Sequence, residues 1–281
     1  MNNELHIDAL LPVEMAQRAE QIGMKKAALP TINLLALALL AGAFVALGAI
    51  FSTTVAAGAN GVLPYGITRL LIGLSFCLGL ILIIVGGAEL FTGNTLIVMA
   101  WASGKVTTGA LLRNWVIVYA GNFVGAVGTA LLLFVSKQYT FGGGSVGVTA
   151  LTIANSKVHF DFLQAIALGA LCNALVCLAV WLTFSARSTT DKILAILFPI
   201  TAFITAGFEH SIANMYFIPL GLLIKGFDSA FVTASGLDLA DLTWRAFFLN
   251  NLLPVTIGNI GGGVVLVAAV YWLVFLQRRP D

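Results

Sequence analysis

The chain has 281 residues, of which 59% are hydrophobic and 9% are charged, with a formal net charge of +2 and a mean hydropathy of +1.00. Soluble domains carry about 25% charged residues, so this chain has too little polar surface to coat a globule in water. The same composition excludes intrinsic disorder, and it excludes a nucleic-acid-binding protein, which needs a concentrated basic patch. It predicts a polytopic membrane protein in a lipid bilayer.

The N-terminal residues precede the first apolar run and contain no apolar core of the signal-peptide type. We expect 1–30 to be a cytoplasmic N-terminal segment and 31–281 to form a single pore domain. Met15 and Ile22 fall on one face of 10–28, which predicts an amphipathic helix. The simpler interpretation places this helix on the membrane surface, and the alternative is an arm over a pore mouth.

Six apolar runs are long enough to cross a bilayer, which takes about 20 residues. They are predicted at 31–56, 67–101, 109–136, 161–185, 190–225 and 248–277. The second and fifth runs are too long for one plain span, and Gly and polar residues interrupt each of them. The segments between the third and fourth runs (137–160) and between the fifth and sixth (226–247) are predicted to be connectors.

The distribution of Lys and Arg predicts the orientation of the chain. If the N-terminus is cytoplasmic, nine of the 14 Lys and Arg residues fall on the cytoplasmic side and five on the other. Cytoplasmic loops carry the excess of these residues in membrane proteins. Both termini are therefore predicted to be cytoplasmic.

Two pairs of motifs indicate an internal repeat. The pattern G-x-E-x-x-x-x-N occurs at 87–94 and at 207–214, and each copy interrupts a long run; Gly-Asn-x-x-Gly begins at Gly121 and at Gly258. Three spans in each half give the halves opposite orientations. We therefore predict an all-α fold of two inverted three-helix repeats, with broken second and fifth helices that meet near the bilayer midplane. The glycines of the second pair are expected to let helices pack closely.

The breaks contain the titratable groups of the membrane interior. Glu89 and Glu209 are the only acidic residues deep within the runs, and an ionised carboxylate at the bilayer centre costs at least about 2.5–3.5 kcal/mol. One interpretation is that each glutamate caps the amides freed by its broken helix; the other is that it faces the solute. His210 is the only histidine within a span, which favours a pore-facing proton donor over a packing residue.

Lys157 and His159 precede the fourth run on the outer side. They are open to two interpretations. In the first, both side chains simply extend from the membrane interface into water. In the second, they attract anions to the outer mouth of a pore.

The sequence resembles a known family, the formate/nitrite transporters. The resemblance extends over nearly the whole chain, and its most specific motifs are Ala-Glu-Leu-Phe-Thr at 88–92, Ala-Gly-Phe-Glu-His-Ser-Ile-Ala-Asn-Met at 206–215 and Pro-Val-Thr-Ile-Gly-Asn at 254–259. The formate channel branch is the more similar one, through motifs at 10–16, 103–105, 157–159 and 176–181. Gly93-Asn94 is nearer to the nitrite branch, so nitrite and hydrosulfide stay alternative substrates.

The resemblance implies an aquaporin-like protomer in a homopentamer, with one pore per subunit, in a bacterial cytoplasmic (inner) membrane. It implies a channel or transporter for formate or a similar small monovalent anion, with no cofactor, no metal and no enzyme activity. His210 would be the central pore histidine and Thr92 its partner on the other break. Asn173 would bond His210, and Lys157 would be the vestibule lysine.

The resemblance also implies two constrictions and a gate. The inner constriction would consist of Phe76, Leu80 and Phe203, and the outer one of Leu90, Phe91 and Val176. The N-terminal segment would gate the inner mouth. Together with the residues in the breaks, this predicts proton-linked passage in which His210 lends a proton to the anion.

Two other classes of protein were weighed against an anion pore. A water or ammonium channel is disfavoured because the chain has no Asn-Pro-Ala pair and no twin histidines within its spans. An intramembrane enzyme using Ser211 with His210 is disfavoured because adjacent positions of a helix point in different directions.

Overall fold

The structure is a computed structural model that describes residues 9–59 and 61–277. Within this part of the chain every regular element is a helix. In chain order we label α1 (Pro12–Ala27), α2 (Thr31–Ala56), α3 (Tyr65–Gly86), α4 (Phe91–Ala102), α5 (Thr108–Val135), α6 (Ser145–Lys157), α7 (Phe162–Ser185), α8 (Thr189–Ala206), α9 (Ser211–Phe227), α10 (Ser229–Ser235) and α11 (Trp244–Phe275). Residues 1–8 of the predicted N-terminal segment, residue 60, and 278–281 after the last predicted run lie outside the described residues.

Six of the described helices are long and apolar enough to span a membrane, namely α2, α3, α5, α7, α8 and α11. They coincide with the six predicted runs, so the all-α, six-span prediction is confirmed. The internal inversion and the aquaporin-like layout stay predictions.

The second and fifth runs each consist of two helices with a break between them, as predicted. α3 and α4 flank the first break, and α8 and α9 flank the second. Gly87 and Gly207 end the leading helices with φ values of 78° and 80°. This left-handed conformation is free of steric cost only for glycine, and it turns the chain into the extended residues that precede α4 and α9.

The two predicted connectors contain helices, which the hydropathy pattern did not reveal. Most of 137–160 is α6, and 226–247 includes α10, which is bent by 105° from α9. The sequence of α6 is rich in β-branched residues, serine and glycine, whose helix propensity is low. Burial of Leu151 and Ala154 at 0% exposure indicates that tertiary packing stabilises this helix instead.

Glycine brings two pairs of spans into close contact. A Cβ added to Gly125 on α5 would lie 2.0 Å from the carbonyl oxygen of Leu39 on α2. The same addition to Gly262 on α11 would lie 2.0 Å from the carbonyl oxygen of Ala170 on α7. A Cβ added to the first glycine of either motif, Gly121 or Gly258, would lie 2.5 or 2.1 Å from the same partner helix. The predicted role of these glycines in close helix packing is therefore confirmed.

Helix α1 packs against the pore domain and does not lie free on a membrane surface, contrary to the simpler interpretation. Its buried face, with Met15 and Ala19, belongs to one apolar cluster with α4, α7 and the end of α11. Glu20 forms an ion pair with Lys105. This is the position expected of an arm over a pore mouth, while gating by the arm stays a prediction. Both ends of the described chain lie at this face.

Candidate functional site

A small chamber lies between the two breaks. It has a volume of about 10 Å³, roughly the space of a single water molecule. Apart from His210, the side chains that line it are apolar: Val45, Phe76, Leu80, Ile83, Leu90, Val176, Ile200 and Phe203. Five of the six residues predicted to form constrictions therefore surround one chamber.

Phe91 is the exception among the predicted constriction residues. Its ring packs edge-on against Tyr119 at 4.8 Å and against Trp115 at 6.0 Å between centroids, and both partners are on α5. As the first residue of α4, Phe91 donates its N–H to Asn122 of α5, which holds its side chain on that side. The expected place of Phe91 in a constriction is thus corrected.

Phe76, Phe203 and Leu90 lie at the end of the chamber opposite to the one expected for them, whereas Leu80 lines the cavity on the α1 side as expected. α8 begins near α1, where Lys192 lines a cavity that α1 covers, so Phe203 lies toward the end of α8 that is far from α1. Phe76 packs edge-on against Phe203 at 5.9 Å, whereas Leu90 lines the cavity under α1. The phenylalanine pair therefore closes the side away from α1, and Leu90 lies on the α1 side.

The polar centre of the chamber is a hydrogen bond between the two breaks. His210 Nε2 lies 2.9 Å from Thr92 Oγ1, so the structure brings together the predicted pair. His210 Nδ1 accepts a hydrogen bond of 3.1 Å from the N–H of Ala213 in the first turn of α9. Because Nδ1 accepts, we assign the proton of the neutral imidazole to Nε2, which donates to Thr92.

Asn173 does not bond His210, contrary to expectation. Its Nδ2 donates to the carbonyl oxygens of Thr92 at 3.2 Å and Asn259 at 2.6 Å and lies 3.3 Å from Thr95 Oγ1. α7 therefore presents Asn173 to the backbone of α4 and α11 rather than to the imidazole. Its role is to tie the first break to α11.

In the first break, Glu89 accepts hydrogen bonds in a closed polar network. Lys26 Nζ, on α1, lies 2.9 Å from Glu89 Oε1 and 2.9 Å from Asn94 Oδ1. Asn94 Nδ2 donates to Glu89 Oε2 at 2.7 Å and to Asn114 Oδ1 at 2.9 Å. Asn114 completes the network by donating to the backbone oxygen of Lys26 at 3.0 Å.

The second break has the same arrangement around Glu209. Lys157 Nζ, at the end of α6, lies 2.6 Å from Glu209 Oε1. Asn214 Nδ2 donates at 2.7 Å to Glu209 Oε2 and to Asn251 Oδ1, and Asn251 donates to the backbone oxygen of Lys157 at 2.8 Å. The Lys157 side chain is 14% exposed, so it is a buried ion-pair partner and not an interfacial side chain extended into water.

The first backbone N–H of α4 and of α9 is bonded by an asparagine and not by the glutamate of the break. Asn122 Oδ1 accepts from the N–H of Phe91, and Asn259 Oδ1 accepts from the N–H of Ser211, both at 2.9 Å. Each asparagine also donates Nδ2 to the carbonyl oxygen of the glutamate in the same break, at 3.0 and 2.9 Å. An amide side chain can serve a donor and an acceptor together, whereas a carboxylate only accepts. The capping interpretation of the glutamates was therefore wrong.

Sequence reasoning missed these asparagines although the signal was present. Asn122 and Asn259 stand inside the repeated Gly-Asn-x-x-Gly motif, from which only the glycines were interpreted. Asn114 and Asn251 each precede the motif asparagine by the same spacing in their helices. A matched polar residue in two apolar spans is the observation that would have found them.

The structure gives no support to a serine–histidine catalytic pair. Both ring nitrogens of His210 are engaged by other groups. Ser211 Oγ is buried without a hydrogen-bond partner among the described residues. Over the same residues, no group of three or more His, Cys, Asp or Glu side chains is placed to hold a metal ion.

Apolar spans around two broken helices, with a few polar groups between the breaks, define a membrane channel or transporter. The family model described as formate/nitrite transporter matches residues 13–273. The chain belongs to the formate/nitrite transporter family, and is a multi-pass membrane protein rather than an enzyme. This confirms the resemblance found in the sequence.

Individual relatives are similar over almost their full length. The chain is 45% identical over 276 residues to formate channel FocA of Escherichia coli (strain K12), covering 97% of this chain and 96% of that protein. It is 40% identical over 271 residues to formate channel FocA of Haemophilus influenzae, covering 95% of each. A solved structure described as a pentameric formate channel with formate bound matches with a TM-score of 0.82 and 45% identity, covering 88% of this chain and 98% of that one.

Proposed function

We propose that this protein passes formate across the bacterial cytoplasmic membrane, as a homopentamer with one pore in each subunit. The similarity to formate channels and to a pentameric channel with formate bound supports the substrate and the assembly. The excess of Lys and Arg at the α1 side supports cytoplasmic termini. We further propose that 1–30 is a cytoplasmic N-terminal segment and that 31–281 forms a single pore domain. The observation that carries the proposal is the His210–Thr92 hydrogen bond inside an otherwise apolar chamber.

Passage of a charged formate through this chamber is costly. A small carboxylic acid has a pKa of about 4, which is some three units below pH 7. Protonating its anion at pH 7 therefore costs about 4 kcal/mol. Carrying the bare charge past apolar walls costs from about 3 to more than 10 kcal/mol. Over most of this range protonation within the pore is the less costly route, which supports proton-linked passage.

We propose that His210 assists by hydrogen bonding and, after its ring has left the Ala213 N–H, by proton transfer. In its neutral form the imidazole offers Nε2–H to an anion that displaces Thr92. Donating a proton outright requires a second proton at Nδ1, which now accepts from Ala213. Proton-linked passage therefore requires the imidazole to leave the Ala213 N–H, because Nδ1 cannot both accept that bond and carry a proton.

The test is formate flux into proteoliposomes of the purified protein, with and without an inward proton gradient. We expect formate flux to rise with the gradient, and His210→Phe to abolish the dependence on the gradient in protein that remains folded. Gradient-dependent flux that survives in His210→Phe would contradict the role of His210. Absence of formate flux in the wild type would contradict the substrate.

Nitrite and hydrosulfide are compared in the same assay, since Gly93-Asn94 raised them as alternatives. Asn94 bonds Glu89 and Asn114 and does not line the central chamber. The Asn94 side chain therefore serves the polar network of the first break and does not contact a solute in the central chamber. A flux preference for nitrite over formate would instead assign the protein to a sister branch with the same architecture.

A further inference from the structure

A second cavity lies outside the central chamber, between α1 and the first break. Its volume is about 230 Å³, and Leu80, Ile83 and Leu90 line both this cavity and the chamber. We refer to it as the α1 cavity. The two spaces therefore adjoin, and the α1 cavity lies next to the α1 side of the chamber.

The α1 cavity is strongly positive. Three cations and one carboxylate line it, namely Arg18, Lys26, Lys192 and Glu89. Lys26 is paired with Glu89. Among the described residues 9–59 and 61–277, no carboxylate lies within the 4.0 Å ion-pair distance of Arg18 or Lys192. Two positive charges thus lack a direct ion-pair partner among the described residues, and they line a space large enough for a small anion and its water.

Hydrogen-bond donors remain available in the α1 cavity. Arg18 uses one of its guanidinium N–H groups on the carbonyl oxygen of Phe184, and a guanidinium has five. Lys26 uses two of its three ammonium donors, on Glu89 and Asn94. The third donor of Lys26, the guanidinium of Arg18 and the ammonium of Lys192 are the groups that a monovalent anion can bind.

We propose that the α1 cavity is a second binding site for a small monovalent anion, formed by Arg18 and Lys192 and completed by Lys26. It serves anions that enter or leave the pore on the α1 side. The proposal rests on the proposed function, because it identifies the anion with the transported one. It gives α1 a role in binding: two of the three cations belong to a helix that precedes the first span.

The transport test uses the full-length protein in vesicles of known orientation, with formate added on either side. Arg18→Gln/Lys192→Gln is expected to raise the half-saturating formate concentration about three- to tenfold from the α1 side and to leave the other side unchanged. The rise should shrink at high ionic strength, since the Debye length falls from about 8 Å at 0.15 M to about 3 Å at 1 M. A purely structural effect would not depend on salt in this way.

Lys25→Gln is the matched control, because Lys25 is an exposed residue of α1 that does not line the cavity. It removes the same charge and is expected to change neither side. An equal rise in Lys25→Gln, or no rise in the double variant of a protein that transports formate, would overturn the inference and leave the proposed function standing.

A second measurement decides the site even if formate is not transported. Crystals of the full-length protein soaked in bromide are expected to show anomalous density in the α1 cavity of the wild type. Arg18→Gln/Lys192→Gln crystals should lose this density and Lys25→Gln crystals should keep it. A cavity without bromide in the wild type would overturn the proposal.

Discussion

At the residue scale, the two lysine–glutamate pairs differ in how far their side chains are exposed to solvent. The Lys157 and Glu209 side chains are 14% and 3% exposed, whereas those of Lys26 and Glu89 are 28% and 6% exposed. Removal of one partner from a buried pair leaves an uncompensated charge and costs about 3–5 kcal/mol, while replacement of both is often tolerated. The Lys157–Glu209 pair therefore has a structural function, and the attraction of anions by Lys157 stays a prediction.

We predict that Lys157→Met strongly destabilises the protein and that Lys157→Met/Glu209→Gln recovers most of the loss. Thermal unfolding in detergent measures both. Lys26→Met, the matched variant at the more exposed pair, should be the milder of the two single lysine variants. Equal melting temperatures for Lys157→Met and the double variant would argue against a buried charge at Glu209.

His159 is predicted to titrate above its ordinary range. Its hydrogen bond to the Asn155 carbonyl, and then its contact with Asp241 at 3.2 Å, raise the pKa of His159. Because the folded pKa is the higher one, the contact stabilises the loop between α6 and α7 fully below about pH 6.5 and loses this effect as the pH rises through the folded pKa. NMR titration should show the raised pKa in the wild type and a lower one in Asp241→Asn; identical pKa values would refute the contact.

At the scale of elements, the breaks depend on asparagines supplied by neighbouring helices. Asn259 of α11 serves the Ser211 N–H and the carbonyl oxygens of Glu209 and Gly169 at 2.8–2.9 Å. Asn259→Leu leaves these buried groups without partners, at about 1–3 kcal/mol each. We predict loss of folded protein in size-exclusion chromatography. Asn250→Leu on the same helix removes only a bond of 3.5 Å and should fold; matching behaviour of the two variants would contradict the prediction.

The contact between α7 and α11 depends on a missing side chain. We predict that Gly262→Ala lowers the melting temperature, because its Cβ would lie 2.0 Å from the carbonyl oxygen of Ala170, and overpacking costs about 1–3 kcal/mol. At the adjacent Gly261 a Cβ meets nothing within 4 Å. Gly261→Ala is therefore neutral or slightly stabilising, as alanine favours helix. A Gly262→Ala protein as stable as Gly261→Ala would show that the two helices can move apart.

At the scale of the whole molecule, the ends of the chain should be accessible from one side of the membrane. α1 and the end of α11 share one apolar cluster, and the Lys and Arg excess predicts that this side is cytoplasmic. The three native cysteines are buried, so a maleimide is expected to label only a cysteine that is added at the surface. Lys25→Cys should react with an impermeant maleimide only in inverted vesicles, and Thr140→Cys, beyond the far end of α5, only in intact cells. The opposite pattern would reverse the orientation.

The amino-acid sequence alone determined the class of protein, the six spans and the positions of both breaks. These features are local: hydropathy needs about 20 consecutive residues, and a glycine with positive φ acts at one position. The repeated motifs, read together with the family resemblance, were also enough to pair His210 with Thr92 across the two breaks.

The tertiary structure decided which groups meet across long distances in the chain. Glu89 and Glu209 needed partners in any fold, yet the partners are lysines from α1 and α6 and asparagines from α4 and α9. Phe91 faces α5 and Asn173 faces backbone oxygens because of how helices are rotated against each other. Hydropathy and motif spacing fix where a helix lies along the chain but leave its rotation to packing with its neighbours.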